Sequence, residues 1–240
     1  QRQMCIRDSV TAVQPSDNSP ADQTWTYGTG GHTIGWIITD PGSPTGTYRV
    51  YRNSTLLNPG GSTWQNNTNI GWNVDGLPAG LWNFTIEYWD GNCTAPYPTD
   101  LVYVQVDKAT PTVAMLLNGS AANHTYIWGQ QINLTGTVTP AGLQVVVEWL
   151  NGTDISVPGA GVSTAIIDSK VWGIGVYEVR AHSDGNANYS AANSVVRAVN
   201  ITAGFATITH PADQAYAEGS TGHTITWTVT SHSALTGAYT

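Results

Sequence analysis

Apolar side chains recur at every second residue in this chain, and no stretch of 11 or more residues keeps a 3.6-residue period. In 131–138, Ile132, Leu134 and Val138 share one face, while Asn133, Thr135 and Thr137 share the other. In 144–150, Val145, Val147 and Trp149 oppose Glu148, and in 176–182, Tyr177, Val179 and Ala181 oppose Glu178, Arg180 and His182. An earlier run repeats the scheme, with Trp82, Phe84, Ile86 and Tyr88 opposite Asn83, Thr85 and Glu87. Asp40-Pro41-Gly42, Asn58-Pro59-Gly60-Gly61 and Pro158-Gly159-Ala160-Gly161 punctuate the runs as turns. Short strands with regular turns predict an all-β chain of Greek-key sandwiches.

Three pairs of segments match at one offset of 191 residues. Pro20-Ala21-Asp22-Gln23 returns as Pro211-Ala212-Asp213-Gln214, and Gly31-His32-Thr33-Ile34-Gly35-Trp36 as Gly222-His223-Thr224-Ile225-Thr226-Trp227. Thr45-Gly46-Thr47-Tyr48 returns as Thr236-Gly237-Ala238-Tyr239. One offset of this length suits two sandwiches of about 95 residues each. The expected organisation is therefore a type A domain at 10–108, a type B domain at 109–203, and a broken-off second type A copy at 204–240. Residues 1–9, QRQMCIRDS, resemble translated adapter sequence at the end of an assembled metagenomic fragment and are set aside. The joints near Lys108 and Gly204 are short, which predicts a semi-stiff array.

Charged residues make up 10% of the chain, well below the roughly 25% of an average soluble domain. Neutral polar residues in their place suit an extracellular β protein. The formal net charge is −8, and the eight basic residues form no cluster, which argues against nucleic acid or anionic lipid as a partner. No run approaches the ~18–20 apolar residues of a membrane span. Cys5 and Cys93 are the only cysteines, too few for a disulfide framework; Cys93 reads as a free thiol in a loop.

Trp149 stands on the inward face of the presumed third strand of the second domain, where immunoglobulin-like cores hold a Trp. Gly175-Val176-Tyr177 opens a late strand in the manner of a tyrosine corner; Gly80-Leu81-Trp82 occupies that place in the first domain and lacks the hydroxyl. With Ile132-Asn133-Leu134-Thr135-Gly136-Thr137-Val138, Gly175-Val176-Tyr177-Glu178-Val179 and Asp184-Gly185-Asn186-Ala187-Asn188-Tyr189-Ser190, the second domain resembles the immunoglobulin-like repeats of bacterial and archaeal surface proteins. The first domain, with its His-Thr-Ile-x-Trp strand, is similar to repeats of large archaeal surface proteins. The resemblance covers most of residues 11–240. It implies tandem immunoglobulin-like sandwiches at the cell surface, serving as stalks, adhesins, surface-layer parts or enzyme appendages.

Asn-x-Ser/Thr acceptors for N-glycosylation occur at Asn53, Asn66, Asn83, Asn92, Asn118, Asn123, Asn133, Asn151, Asn188 and Asn200. A chain this rich in Asn, Ser and Thr makes some of them by accident. Placement on outward strand faces (Asn83, Asn133) or near turns (Asn53, Asn118, Asn151, Asn188) favours use.

No catalytic, cofactor or metal motif emerges. His32, His124, His182, His210, His223 and His232 form no H-x-H or H-E-x-x-H arrangement. His32 and His223, equivalent in the repeat, are expected to make a strand-edge hydrogen bond, with a ligand site repeated along a filament as the alternative. Gly28-Thr29-Gly30-Gly31 reads as a turn, since it lacks the Lys of a phosphate loop. Asp184-Gly185-Asn186-Ala187-Asn188 starts like a calcium loop but has no closing acid. Glu87, Glu148 and Glu178 are expected on solvated outward faces. Trp36, Trp82, Trp149 and Trp227 fit core positions; Trp64, Trp72 and Trp89 are candidates for stacking on sugars, with core or inter-domain packing as the competing reading. The expected partners are neighbouring domains of the same chain and cell-surface glycans or proteins. Three roles fit: a non-catalytic spacer of a secreted or cell-surface glycoprotein, an adhesin binding glycan or protein through exposed aromatics, or accessory modules of a secreted hydrolase.

Overall fold

The computed structural model describes residues 14–231. They divide into two compact units, residues 14–109 with 187–189 and residues 110–186 with 190–231. The leader at 1–9, His232 and the segment Thr236-Gly237-Ala238-Tyr239 lie outside the described residues.

The first unit has eight strands: β1 (Gln23–Thr26), β2 (Thr33–Ile37), β3 (Thr45–Arg52), β4 (Thr55–Leu56), β5 (Ser62–Gln65), β6 (Asn69–Asn73), β7 (Gly80–Trp89) and β8 (Thr99–Asp107). One layer runs β1-β8-β7-β3-β4, with β5 also paired to β3; β2 and β6 form the other. Alternation decides which side chains meet between the layers. Ile34, Trp36 and Ile38 from one side are buried with Phe84, Ile86, Val102 and Val104 from the other. Trp36 is fully buried, and its indole N–H donates to Asp100 Oδ2 at 2.8 Å, so the core holds no orphan donor there. Gly46 is required by packing. A Cβ at that position would lie 2.6 Å from the Trp64 ring and 2.2 Å from the Trp89 carbonyl oxygen.

The second unit comprises β9 (Thr112–Leu117), β10 (His124–Ile127), β11 (Gln131–Thr139), β12 (Gln144–Trp149), β13 (Gly159–Ala160), β14 (Val162–Asp168), the single-turn α1 (Ser169–Trp172), β15 (Gly175–Ser183), β16 (Ala192–Asn193) and β17 (Arg197–Thr202). Its layers are β14-β11-β9 and β10-β17-β15-β12-β13, with β16 on β15. Both units share one closure. In the second, β9 pairs antiparallel with β11, and β10 then crosses to run parallel to the last strand, β17. In the first, Ser16 bridges Thr39 just past β2, and β1 then runs parallel to the last strand, β8. Two antiparallel layers closed in this way are tandem immunoglobulin-like Greek-key β-sandwiches.

β18 (Ala206–Thr209) and β19 (Thr228–Ser231) pair antiparallel. Their pair Thr207↔Thr230 falls 191 residues after Ser16↔Thr39. Trp227, expected in a core, is 55% exposed beside exposed Ile208 and Ile225. The reason is that this ladder has only two strands among the described residues, whereas Trp36 lies beneath a full second layer.

The expected corner forms in the second unit. The Tyr177 hydroxyl donates to the Trp172 carbonyl oxygen, with the Gly173 carbonyl oxygen 3.4 Å away. In the first unit the hydroxyl is missing, but its role is filled: the Trp82 indole N–H donates to the Pro78 carbonyl at 2.9 Å, again reaching back over the turn that opens the strand. Each bond satisfies a backbone acceptor where the chain leaves one ladder for the next. Tyr177→Phe should therefore lower the unfolding free energy by about 1 kcal/mol, and Trp82→Phe by somewhat more because ring area is lost as well. Urea unfolding measures both; an unchanged midpoint for Tyr177→Phe would show that the corner bond contributes nothing.

Candidate functional site

Three places in the fold gather side chains that could act: a polar cavity in the second unit, a recurring aromatic–histidine loop, and the asparagines and aromatics nominated from sequence.

The cavity, of about 310 Å³, is bordered by Gln144, Val146, Glu148, Asp154, His182 and Asp184 among others. Glu148 was expected on a solvated face but is only 5% exposed. Residues 150–158 fold back alongside the edge of β12. The Ile155 and Ser156 N–H groups donate to the Val147 carbonyl, and Asp154 bridges Glu148. The buried carboxylate accepts from Arg180 Nε at 2.6 Å, its cross-strand partner on β15. Next along β15, His182 places Nε2 2.8 Å from Asp184 Oδ1 and Nδ1 2.6 Å from Asn193 Oδ1. Two oxygen acceptors suit the doubly protonated ring. Burial pulls the His182 pKa down, but the bonds to Asp184 and Asn193 and the nearby Glu148 and Asp184 charges outweigh it and leave the value raised. Asp184, the first acid of the calcium-like run, is thus engaged by His182. Among the described residues no group of three or more His, Cys, Asp or Glu side chains is arranged to hold a metal ion. The cavity lining contains no Ser, Thr, Cys or Lys; its polar groups are the amide of Gln144, three carboxylates and the His182 imidazole.

His32 stands just before β2 and bonds as expected at the strand edge, whereas His223 lies in the loop before β19 and bonds within that loop; similar loops surround both. The Trp25 ring stacks on His32 at 4.1 Å and 5°, and Thr29 Oγ1 lies 2.9 Å from His32 Nε2. At 191 residues further, Tyr216 lies 3.7 Å from the His223 ring, and Ser220 Oγ lies 2.7 Å from His223 Nε2. The hydroxyls of Thr29 and Ser220 donate to the Thr26 and Ala217 carbonyls, each at 2.7 Å. Gly28 and Gly219, and Gly31 and Gly222, all hold positive φ. In the first copy Asp75 adds a lock, accepting from the Gly31 and His32 N–H groups, and these two bonds lower its pKa.

The three nominated tryptophans offer no bare ring. Trp64 is 1% exposed, with its indole N–H donating to the Trp89 carbonyl at 3.1 Å, so the sugar-stacking expectation is overturned by its inward register on β5. Trp72 is half-buried against the core. Trp89 is half-buried and already stacked on Tyr97 at 4.7 Å, with the Arg49 guanidinium 5.1 Å from its ring. Trp149, expected in the core, is half-buried at the end of β12 among Trp172 and Tyr177.

The asparagines divide by what their amides do. Asn66 is half-buried and bonds both ways with the Asp40 backbone, each at 2.9 Å, so its nitrogen is occupied. Asn92 Nδ2 donates to Asp90, and Asn200 Nδ2 is 3.5 Å from Thr125 Oγ1. Asn53, Asn118, Asn123 and Asn151 are exposed and use only Oδ1, accepting from the N–H groups of Asn83, Asn133, Ala198 and Thr153. Asn133 is exposed on β11, with the Thr135 hydroxyl 3.4 Å from its Oδ1. Asn188 is half-buried in the segment that groups with the first unit. Asn83 lies on the outer face of β7. Cys93, half-buried in the loop after β7, is a free thiol.

No family model matches the chain, and neither does any curated protein. Solved structures do. The titin domains Z1Z2 in complex with telethonin align at 16% identity over 80% of this chain and 98% of that one, with a TM-score of 0.47. The fibronectin(III)-like modules of CbhA from Clostridium thermocellum align at 16% identity over 79% and 95%, TM-score 0.32. The tandem Ig repeats of Dlar align at 10% identity over 79% and 98%, TM-score 0.29. At these scores the likenesses carry no argument, and the fold assignment rests on the sheets themselves.

Two measurements probe the cavity. Arg180→Met should cost about 3 kcal/mol by stranding the buried Glu148 carboxylate, and adding Glu148→Leu should recover most of the loss. Urea unfolding of the two variants reads this directly; an equal loss in single and double mutants would sink the ion-pair account. His182, with its raised pKa, contributes stability that is complete below its unfolded value near 6.5 and is lost as the pH climbs through the folded value. His182→Gln should remove that pH-dependent component from a series of melts between pH 5 and 8.

Proposed function

We propose that this chain is a non-catalytic spacer region of a secreted or cell-surface glycoprotein, of the stalk, sheath or surface-layer kind. The observation that carries the reading is the recurrence, 191 residues apart, of one loop: an aromatic ring against the imidazole (stacked at 5° in the first copy, tilted at 34° in the second), a hydroxyl–imidazole bond and paired positive-φ glycines. A site evolved for one reaction needs one copy, whereas length is gained by repetition of a self-contained unit. Ten glycan acceptors and sparse charge fit an exterior whose solubility comes from neutral polar groups and sugars. In the cavity, Glu148 is paired with Arg180 and Asp184 with His182, so these acids serve the fold. Among the described residues no helix is long and apolar enough to cross a membrane.

The adhesin reading has one observation in its favour, an exposed apolar patch on the solvent face of β7 and β8 that includes Tyr103 and Leu101. Passing the purified chain over immobilised polysaccharides separates the two, since a spacer should elute without retention. The spacer reading itself is tested by recovering the complete reading frame from source DNA. Further type A and type B repeats with a leader and a surface anchor are expected. A neighbouring domain with a catalytic constellation would make these units appendages of an enzyme.

A further inference from the structure

Among the described residues of the first unit, four large hydrophobic side chains are exposed: Leu56, Leu81, Leu101 and Tyr103. Three of them surround one glycan acceptor. Asn83 and Tyr103 face each other across β7 and β8. The Asn83 N–H and carbonyl both bond to Asn53 on the β3 side, and the Tyr103 N–H donates to Asp22 Oδ1 on the opposite side. Their backbone groups therefore point away from each other, and they form a non-hydrogen-bonded pair. This is the geometry that brings cross-strand side chains closest, with Cβ atoms about 4.5–5.5 Å apart. Leu81 lies two residues before Asn83 on the same face of β7 and is 61% exposed; Leu101 lies diagonally across on β8 and is 44% exposed. Tyr103 itself is 43% exposed. The extended strand places Thr85 on the same face as Asn83, while Phe84 between them is buried in the core.

The geometry points to Asn83 as an occupied N-glycosylation site whose first sugars lie on the Tyr103 ring, flanked by Leu81 and Leu101. A hexose presents an apolar face of C–H groups, which matches an aromatic ring set among aliphatic side chains and covers a patch otherwise left to water. The linkage forms between Asn83 Nδ2 and the anomeric carbon of the first sugar. The donor is a lipid-linked oligosaccharide diphosphate. Its anomeric C–O bond breaks, the diphosphate leaves with the electron pair, and one Nδ2 proton passes to a base of the transferase. Asn83 is half-buried on this face, and among the described bonds its backbone, not its side chain, engages Asn53, whereas the Asn66 amide is committed at both atoms. The inference rests on the glycoprotein reading above and adds to it which acceptor is used and what the glycan does there.

The test is expression of the full chain in a secreting host that N-glycosylates, followed by glycopeptide mass spectrometry and by melting before and after enzymatic deglycosylation. Asn83 should be occupied, and removal of the glycan should lower Tm by about 3–6 °C in the wild-type chain. In Tyr103→Ala the same removal should change Tm little. Tyr103→Ala is an exposed substitution, and melting of its deglycosylated form reports independently that it folds. Asn83 unoccupied while other acceptors carry sugar would overturn this inference and leave the glycoprotein reading standing. Occupancy at Asn83 with an equal Tm loss in Tyr103→Ala would overturn the stacking. Sugar at none of the ten acceptors would overturn the glycoprotein reading and this inference together.

Discussion

Every sandwich of this kind must satisfy backbone groups at the places where strands leave a ladder, and in this chain polar side chains carry that task. Asp22 accepts from the Tyr103 N–H, Asn58 from Val50, Asn66 from Asp40, Asn118 from Asn133 and Asn123 from Ala198. Ser156 and Ser194 do the same for Val147 and Ala181 in buried positions, and the two corner donors, Tyr177 and Trp82, do the converse for carbonyls. An unpaired buried amide costs roughly 1–3 kcal/mol, the penalty that the buried bonds to Ser156 and Ser194 avert. A chain with 10% charged residues can be rich in Asn, Ser and Thr for this reason alone.

That richness bears directly on the glycan acceptors. Several of the ten triplets exist because an asparagine is needed to hold a loop, as at Asn66 and Asn118. Structural use and modification are not equally exclusive. An asparagine that spends only Oδ1 keeps a nitrogen for a sugar, whereas Asn66 has both atoms committed to Asp40. The number of acceptors is thus a weak indicator, and the state of each amide together with its neighbours is a strong one.

Much of the fold was legible in the sequence because period two is a local property. The inward sets Phe84, Ile86, Tyr88 and Ile132, Leu134, Val138 are buried as the alternation requires. The Tyr177 corner was legible because a Gly-x-Tyr opening is also local. What could not be read was which outer faces other segments would later cover. Glu148 sits on the face that alternation assigns to solvent, yet it is buried, with residues 150–158 paired beside β12 and Arg180 bonded to its carboxylate. Trp64 fails for the same reason in reverse: a four-residue strand gives too short a pattern to say that its indole fits against Gly46. Tyr103 was missed as an exposed aromatic because its neighbours Val102 and Val104 dominate the run, although their burial on alternate positions is the signal that puts Tyr103 outside.

The recurring loop was only half legible, and the missing half is informative. Matching letters identified His32 and His223, but not their ring partners, since Trp25 and Tyr216 differ in identity, as do Thr29 and Ser220. What persists is a physical arrangement: an aromatic face under the imidazole, a hydroxyl on Nε2, and glycines where φ is positive. Among the described residues the second copy keeps it beside the β18–β19 pair, and in the first copy Asp75 reinforces the loop. In both copies the loop's own side chains hold its imidazole and its turn. A unit whose turns are locally determined can be repeated along a chain without each copy depending on a particular neighbour, which is the property an extended array requires.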